Sequence, residues 1–505
     1  MGISREDFRK LEDIAKTGGN PSRLRTKLPV RRRIELLLDT GSWIEDGLLA
    51  SSLADGLPAD GVLTGVGTIG GRSVAVIAHD PTVKAGSWGG ATAEKQVRIL
   101  ERADRDLLPV FYLVDSAGGR LTDQMGFFPG RRGAARIFHL QVRLSGRVPQ
   151  LCCLFGPSAA GGAYMPAFCD WIGMVDKQAS MYLASPRIAE MTTGESVSLE
   201  EMGGARMHTT VSGMGDELFA DDASLIARAV ALFGYLPSSY KEGPARDEGA
   251  VEPPRTDWDE AIPENPRRAY DIRAVVTGTV DAGSFFEIKQ AWAREIVVGL
   301  ARLGGDVVGL VASQPLVKGG AIFVDSADKA ARFILLCDAF NIPLVFFLDL
   351  PGFMVGTAVE RQGIIRHGAR LVSAMSSAEV PRFCVVVRKA FAAGFYAMSS
   401  PGFEPRATIA LTSADIGAMG PDAAVNAVYA NKIAEIEDEQ ERASFVAEQK
   451  RLYSADVSLQ RMASDLVVDA VIPPERLRAE LVGRLRAAAG WERAAPGKHH
   501  LVWPG

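Results

Sequence analysis

Apolar and polar positions along this chain fall into short runs that change in kind. Arg5 to Lys16 and Lys27 to Leu38 place apolar residues at helical spacing, and Arg31-Arg32-Arg33 reads as a charged, wet face of the second helix. From Gly61 the pattern turns to strands, Val62 to Gly67 and Ser73 to His79. Gly65-Val66-Gly67-Thr68-Ile69-Gly70 between them matches GxGxxG. Gly71-Arg72 then leads into another strand and not into a helix, so the glycines predict a β-hairpin and no dinucleotide site. Ala91 to Arg105 predicts a helix, Leu107 to Val114 a strand, Ile137 to Leu144 a helix and Val148 to Phe155 a buried strand. Tyr164 to Val175 predicts a helix start, Asn431 to Asp456 a helical stretch, and Val468 to Arg486 a short strand with a closing helix. Such alternation defines an α/β protein.

The run Gly156-Pro157-Ser158-Ala159-Ala160-Gly161-Gly162-Ala163-Tyr164 follows one of these buried strands. It has almost no side chains, so its backbone N–H groups are bare. Adjacent N–H groups at a strand-to-helix turn can point at one oxygen and hold developing negative charge. The bland alternative is a tight packing turn. A second such stretch, Arg388-Lys389-Ala390-Phe391-Ala392-Ala393-Gly394-Phe395-Tyr396, follows the apolar run Arg382 to Val387.

More of the pattern repeats. Gly70-Gly71, Pro81, Val83-Lys84, Gly86, Pro109 and Asp115 recur as Gly304-Gly305, Pro315, Val317-Lys318, Gly320, Pro343 and Asp349, all at an offset of 234. Pro149, Gly162 and Tyr164 recur as Pro381, Gly394 and Tyr396 at 232, and Ser185, Ile188 and Met191 as Ser413, Ile416 and Met419 at 228. The shared order points to internal duplication. Residues 237–266, rich in Pro, Ser and charge, read as a linker or crossing arm. The expected domains are 1–250 and 251–505.

Composition narrows the function classes. The chain has 505 residues, more than one ordinary core accommodates, with 47% hydrophobic and 23% charged residues. A net charge of −5 with scattered basic residues argues against a nucleic-acid partner. No apolar run reaches the roughly 18 residues of a membrane span, and the charged start lacks a signal-peptide core, so the reading is cytoplasmic. Five cysteines without a CxxC and six scattered histidines predict buried thiols and no metal site. Neither a GxSxG elbow nor a phosphate loop is present. Ser158 lies in the first turn, but no His is near it in sequence and Ala390 stands at the matching position, which argues against a serine nucleophile.

At this point the residues reach a family. The chain resembles the carboxyltransferase (β) subunit of biotin-dependent acyl-CoA carboxylases acting on propionyl-CoA, 3-methylcrotonyl-CoA and related esters. The resemblance is carried by residues 33–39, 60–67, Asp115-Ser116-Ala117-Gly118-Gly119, Gly156 to Tyr164 and Glu201-Met202-Gly203-Gly204-Ala205. In the second half it is carried by Pro351-Gly352-Phe353, residues 363–369 and Met419-Gly420. It implies two tandem crotonase-like domains, of the ClpP/crotonase superfamily, and a trimer of dimers. It also implies sites shared between the N-terminal domain of one subunit and the C-terminal domain of another.

The resemblance further implies that acyl-CoA binds the first half and that carboxybiotin, carried by a partner biotin carboxylase/carrier (α) subunit, enters the second. Backbone N–H groups at Gly161 and Gly162 would hold the thioester enolate, and those at Ala393 and Gly394 the biotin ureido oxygen. Asp115, Gly118, Gly119, Ala163, Tyr164, Phe395 and Tyr396 would line the substrates. Biotin nitrogen itself would take the α-proton. This chain carries no Met-Lys-Met biotin attachment signature, no ATP-binding biotin carboxylase segment and no N-terminal zinc-binding Cys cluster. Tyr396 and Gly161-Gly162-Ala163-Tyr164 resemble the methylcrotonyl branch, while residues 351–369 and Arg388-Lys389 resemble the propionyl branch. The acyl group therefore stays open. A transcarboxylase or CoA-ester decarboxylase chain is the alternative, and a non-catalytic scaffold or serine hydrolase the remote one.

Overall fold

A computed structural model describes residues 2–492, 498 and 500–504. The chain forms two compact units. The first runs as far as Ala245 and takes in the tail around Val502; the second begins at Arg246. The tail returns because Val502 exchanges hydrogen bonds with buried Ser145, its N–H donating to Oγ at 3.0 Å and its carbonyl accepting at 3.1 Å. The expected second domain thus does not hold the end of the chain.

In the first unit the strands are β1 (Ile44–Asp46), β2 (Val62–Ile69), β3 (Arg72–His79), β4 (Val110–Ser116), β5 (Gln150–Ala159), β6 (Trp171–Val175), β7 (Ser180–Tyr182) and β8 (Glu217–Phe219). They form one sheet in the order β1-β2-β3-β4-β5-β6-β8, with β7 pairing the end of β5. The antiparallel hairpin β2–β3 turns at Gly70-Gly71, so the GxGxxG run is hairpin, as its sequel requires. From β3 onward the pairing is parallel. Helix Gly90–Asp106 is the long crossover from β3 to β4, and helix Ala134–Leu144 lies in the crossover from β4 to β5. The core is the apolar underside of these helices, Val97, Leu100, Ile137 and Leu140, against Ile77, Tyr112 and Leu154 of the sheet.

The second unit repeats this plan with β9 (Phe286–Ile288), β10 (Ile296–Leu303), β11 (Asp306–Ser313), β12 (Leu344–Leu350), β13 (Arg382–Phe391), β14 (Ala407–Leu411), β15 (Asp415–Gly417) and β16 (Ala470–Ile472). Their order, β9-β10-β11-β12-β13-β14-β16 with β15 on β13, is the first sheet over again. The duplication reaches backbone conformation: Lys84, Leu107, Gly118 and Ala160 have positive φ, and so do Lys318, Asn341, Gly352 and Ala392.

Several expectations need correction. Ser185, Ile188 and Met191 do not correspond to Ser413, Ile416 and Met419. Ile416 pairs with Ala390 in β15, whereas Ile188 sits in helix Pro186–Thr193. The true counterpart of Ile416 is Met181, which pairs with Ser158. Tyr164 to Val175 is not one helix: Tyr164–Ala167 is helical, and Trp171–Val175 becomes β6 because its fully apolar run is buried on both faces. The Arg triplet is not a wet face. Arg33 is fully buried, Arg31 pairs with Glu45 at 2.6 Å, and Arg32 stays exposed. The C-terminal charged stretch is a pair of helices, Pro421–Glu435 and Glu439–Asp456.

Candidate active site

Each unit carries one candidate turn at the carboxyl end of a central parallel strand, where open α/β sheets place their ligands. In the first unit β5 runs into a 3-10 turn, Ala160–Ala163, and the short helix Tyr164–Ala167. In the second β13 runs into helix Ala392–Ala397. Ala160 and Ala392 start these turns at φ +53° and +54°. The next residues, Gly161 and Ala393, are exposed; Gly162 and Gly394 are buried; Tyr164 and Tyr396 are exposed again. N–H groups in the first turn of a helix have no intrahelical acceptor, which leaves them for an oxygen outside.

The loop after the preceding strand presses on each turn. Gly118, at φ +88°, lies so close to the elbow that a Cβ would stand 3.0 Å from Ala159 O. Gly352, at φ +122°, holds the matching place more loosely, where a Cβ would stand 3.5 Å from Phe391 O. A left-handed conformation under a neighbouring carbonyl is a place for glycine. A third loop joins them. Trp88 donates its N–H to Gly118 O and accepts from Arg120 N–H, each at 2.8 Å; Ile322 donates to Gly352 O at 3.0 Å and accepts from Met354 N–H at 2.8 Å. Gly119 is exposed and pairs with Trp88 across this bridge.

The side chains are less symmetrical. Ser158 is buried and donates to Gly162 O at 2.9 Å, a structural bond and not a nucleophile's pose. Ala163 and Phe395 are packing residues, each 8% exposed. Tyr164 is 46% exposed, with its ring against Phe138 and Phe168; Tyr396 is 56% exposed.

Asp115 is different from its expected role. It is 2% exposed, with both carboxylate oxygens 3.0 Å from Lys27 Nζ and Oδ2 3.4 Å from the Arg33 guanidinium. Its oxygens are used internally, so it anchors the turn from beneath and does not line a substrate. Arg33 Nε also bonds Asp222 at 2.8 Å and its guanidinium lies over Phe155. In the second unit Asp349 is paired by Arg388 Nε at 2.7 Å. Arg388 also donates to the carbonyls of Pro263, Asn265 and Arg268.

Sequence reasoning missed Lys27, Arg33, Trp88 and the two left-handed alanines. Arg33 had a signal, since Ile34 and Leu37 beside it face inward; Lys27 had none, because its partner lies 88 residues away.

The fold and the turns together define a duplicated α/β protein with one strand-to-helix turn of small residues in each copy. Comparison with known proteins makes this specific. Residues 21–502 match the carboxyl transferase domain family. The chain belongs to that family, is a carboxyltransferase, and has the duplicated crotonase-like fold. It is 52% identical over 509 residues to an uncharacterized carboxylase, YngE, of Bacillus subtilis (strain 168), covering 100% of this chain and 99% of that protein. It is 36% identical over 510 residues to the propionyl-CoA carboxylase carboxyltransferase subunit of Haloferax mediterranei, covering 98% of each. Its structure superposes on the transcarboxylase 12S hexamer subunit, solved with methylmalonyl-coenzyme A bound, with a TM-score of 0.92 and 33% identity over 100% of this chain and 99% of that one.

Proposed function

We propose that this chain is the carboxyltransferase subunit of a biotin-dependent acyl-CoA carboxylase. The first unit takes the acyl-CoA and the second takes carboxybiotin from a separate biotin-carrying subunit. The observation that carries this reading is the repeated turn: two bare strand-to-helix elbows, matched in backbone conformation, for a reaction with two partners that each gather charge on a carbonyl oxygen.

The first turn fits a thioester. A Cβ at Gly161 would meet nothing within 4 Å, and one at Gly162 only atoms 3.9 Å away, so there is room over the N–H groups for a ligand oxygen. Carboxybiotin, when bound, supplies the carboxyl group. The chain's own contribution is to hold the thioester oxygen on the N–H groups of Gly161 and Gly162 and the ureido oxygen on those of Ala393 and Gly394. Each donor contributes about 3 kcal/mol as charge develops. Tyr164 and Tyr396 flank the ligands and exclude water. With a substrate nitrogen to accept the α-proton, the site requires no side-chain base. Sites completed by a second copy make the working form a dimer or a trimer of dimers, in the cytoplasm. No helix among the described residues is long and apolar enough to cross a membrane.

The test is reconstitution. The chain alone, with ATP, bicarbonate and an acyl-CoA, should fix no labelled carbon. With its biotin-carrying partner it should carboxylate one of acetyl-, propionyl-, 3-methylcrotonyl- or longer acyl-CoA. A second reading, a transcarboxylase, is favoured by the superposition on the 12S subunit. It predicts transfer of the carboxyl group from methylmalonyl-CoA to a biotin carrier without ATP.

A further inference from the structure

Trp88 and His79 form a buried pair that occurs in one copy of the duplication only. Trp88 is 2% exposed and His79 is fully buried. The indole Nε1–H donates to His79 Nε2 at 3.0 Å, and the two rings are nearly parallel, 9° apart. The matching positions in the second unit are Ile322 and Ser313, and Ser313 does a different job there, accepting from Asp349 N–H at 2.7 Å.

Trp88 sits where three loops meet. Its N–H and carbonyl tie down Gly118 and Arg120. Its Cζ2 is one of the two atoms nearest to where a Gly162 side chain would begin, at 3.9 Å, the other being the Ser158 hydroxyl that holds Gly162 O. The Ser158 hydroxyl and the indole edge therefore bound the open space beside Gly162. A large flat side chain in a core can settle in more than one rotamer; a hydrogen bond to a neighbour that cannot rotate selects one. His79 meets that requirement. It ends β3 inside the sheet, and burial pushes it down to about 4, which favours the neutral ring; since the indole N–H can only donate, Nε2 is the acceptor and Nδ1 carries the proton.

We propose that Trp88, locked by His79, is a positioning residue for the first turn, setting the Gly162 N–H against the thioester oxygen. This rests on the reading that acyl-CoA binds the first unit. Ile322, with no hydrogen bond to orient it, gives the second turn no equivalent. The difference follows the substrates: the first turn meets a flexible ester, the second a rigid bicyclic ring that brings its own geometry.

The experiment uses the assembled enzyme with its biotin partner and four variants. Trp88→Phe removes the donor together with the indole edge; His79→Leu removes only the acceptor; His79→Gln restores an acceptor; Trp88→Ile copies the second unit. Trp88→Phe, His79→Leu and Trp88→Ile should each lower kcat by roughly tenfold to a hundredfold, the scale of a misplaced catalytic group. KM for the acyl-CoA should move less than about twofold, and His79→Gln should recover most of kcat. A kcat within about twofold of wild type in both Trp88→Phe and His79→Leu overturns the proposal. So does a loss confined to melting temperature with turnover per assembled enzyme unchanged.

A second measurement does not need turnover. In protein labelled with 5-fluorotryptophan, the 19F resonance missing from Trp88→Phe is that of Trp88, and it should shift when propionyl-CoA or acetyl-CoA is added. An unmoved resonance under saturating CoA ester places Trp88 away from the ligand and overturns the proposal. If wild-type enzyme carboxylates no acyl-CoA at all, the functional reading has failed, and the resonance still decides the placement of Trp88.

Discussion

Arg388 and Asp349 form a buried ion pair, 2.7 Å from Nε to Oδ2, directly beneath the second turn. At the position matching Arg388 the first unit has Gly156, and the same carboxylate, Asp115, is neutralised from elsewhere by Lys27 and Arg33. The substitution is forced by space. A Cβ on Gly156 would overlap Asp115 Oδ1 and come within 2.5 Å of Lys27 Nζ. The second unit thus neutralises the strand-end carboxylate from the adjacent strand, the first from the N-terminal arm.

These two solutions should differ in how they fail. Arg388→Met leaves Asp349 buried and uncompensated, and breaking such a pair costs about 3–5 kcal/mol. Lys27→Met should cost less, on the order of 1 kcal/mol, because Arg33 remains within 3.4 Å of the same carboxylate. Gly156→Ala should be worse than Lys27→Met despite being the smaller change. Chemical denaturation of the three variants checks the order Arg388→Met and Gly156→Ala well below Lys27→Met.

The two turns differ in what a side chain would strike. At Gly161 the space is open, and Ala393 already stands at the matching position, so Gly161→Val should fold and assemble normally. Its side chain would occupy the approach to the N–H groups, and turnover should fall by roughly 10² or more. At Gly394 a Cβ would lie 2.7 Å from Gly352 Cα and 2.8 Å from Leu350 Cδ1. Gly394→Ala should therefore lose about 1–3 kcal/mol of stability. Melting temperature and kcat, measured on both, should dissociate in opposite directions.

The architecture was legible because it was written twice. Gly70-Gly71 and Gly304-Gly305, or Asp115 and Asp349, stand at a constant offset wherever strands and their crossovers keep their length. Past the turns the reading fails at Ser185 and Ser413, since β7 and β15 are three-residue strands too short to impose a pattern, and a helix of different length follows each. The turn residues themselves were visible as a run of small side chains. Their supports were not. Lys27 reaches Asp115, and Arg388 reaches the carbonyls of Pro263, Asn265 and Arg268, across distances in sequence that no local pattern spans. The roles of Arg33 and Asp115 were misread for the same reason, because a charged residue advertises solvent until its buried partner is known.

Two more matched residues, Lys95 and Lys329, give a dependence on pH. Lys329 Nζ is buried and donates to the carbonyls of Lys289, Trp292 and Ile296, each at 2.9 Å; Lys95 donates to those of Ala59 and Val62. Burial pushes Lys329 down to about 7 and Lys95 to about 8. An unfolded lysine stays protonated to about 10.4. Between pH 7 and 10 the unfolded chain therefore binds more protons at residue 329 than the folded one, and linkage makes stability rise with pH across that window. About a unit below pH 7 both states are charged and the slope vanishes. Relative to Lys329→Met, which does not titrate, the wild-type protein should gain about 2 kcal/mol from pH 7 to pH 9. Paired denaturation curves at pH 6, 7, 8 and 9 test the sign; a wild-type stability minus variant stability that stays flat or falls with rising pH contradicts it.

The left-handed alanines set stability against function. Ala160 and Ala392 hold φ near +54°, where a Cβ costs about 1–2 kcal/mol. Strain of this kind persists when the surroundings over-determine it, here Gly118 pressing on Ala159 O and Ser158 holding Gly162 O. Glycine would relieve the strain and give back part of the gain as extra freedom of the unfolded chain. Ala160→Gly should accordingly leave the melting temperature unchanged or raise it by about 2–4 °C. It would also place three glycines in a row before Ala163, so the Gly161 and Gly162 N–H groups would no longer be held for the oxygen. Turnover should fall severalfold while the protein becomes no less stable. Ala392→Gly should show the same stability with a smaller kinetic loss, since Phe391, 8% exposed, and Ala393 still brace the second turn. A fall of more than about 2 °C in Ala160→Gly would mean that the alanine methyl supports the turn by packing, and that its conformation stores nothing the reaction uses.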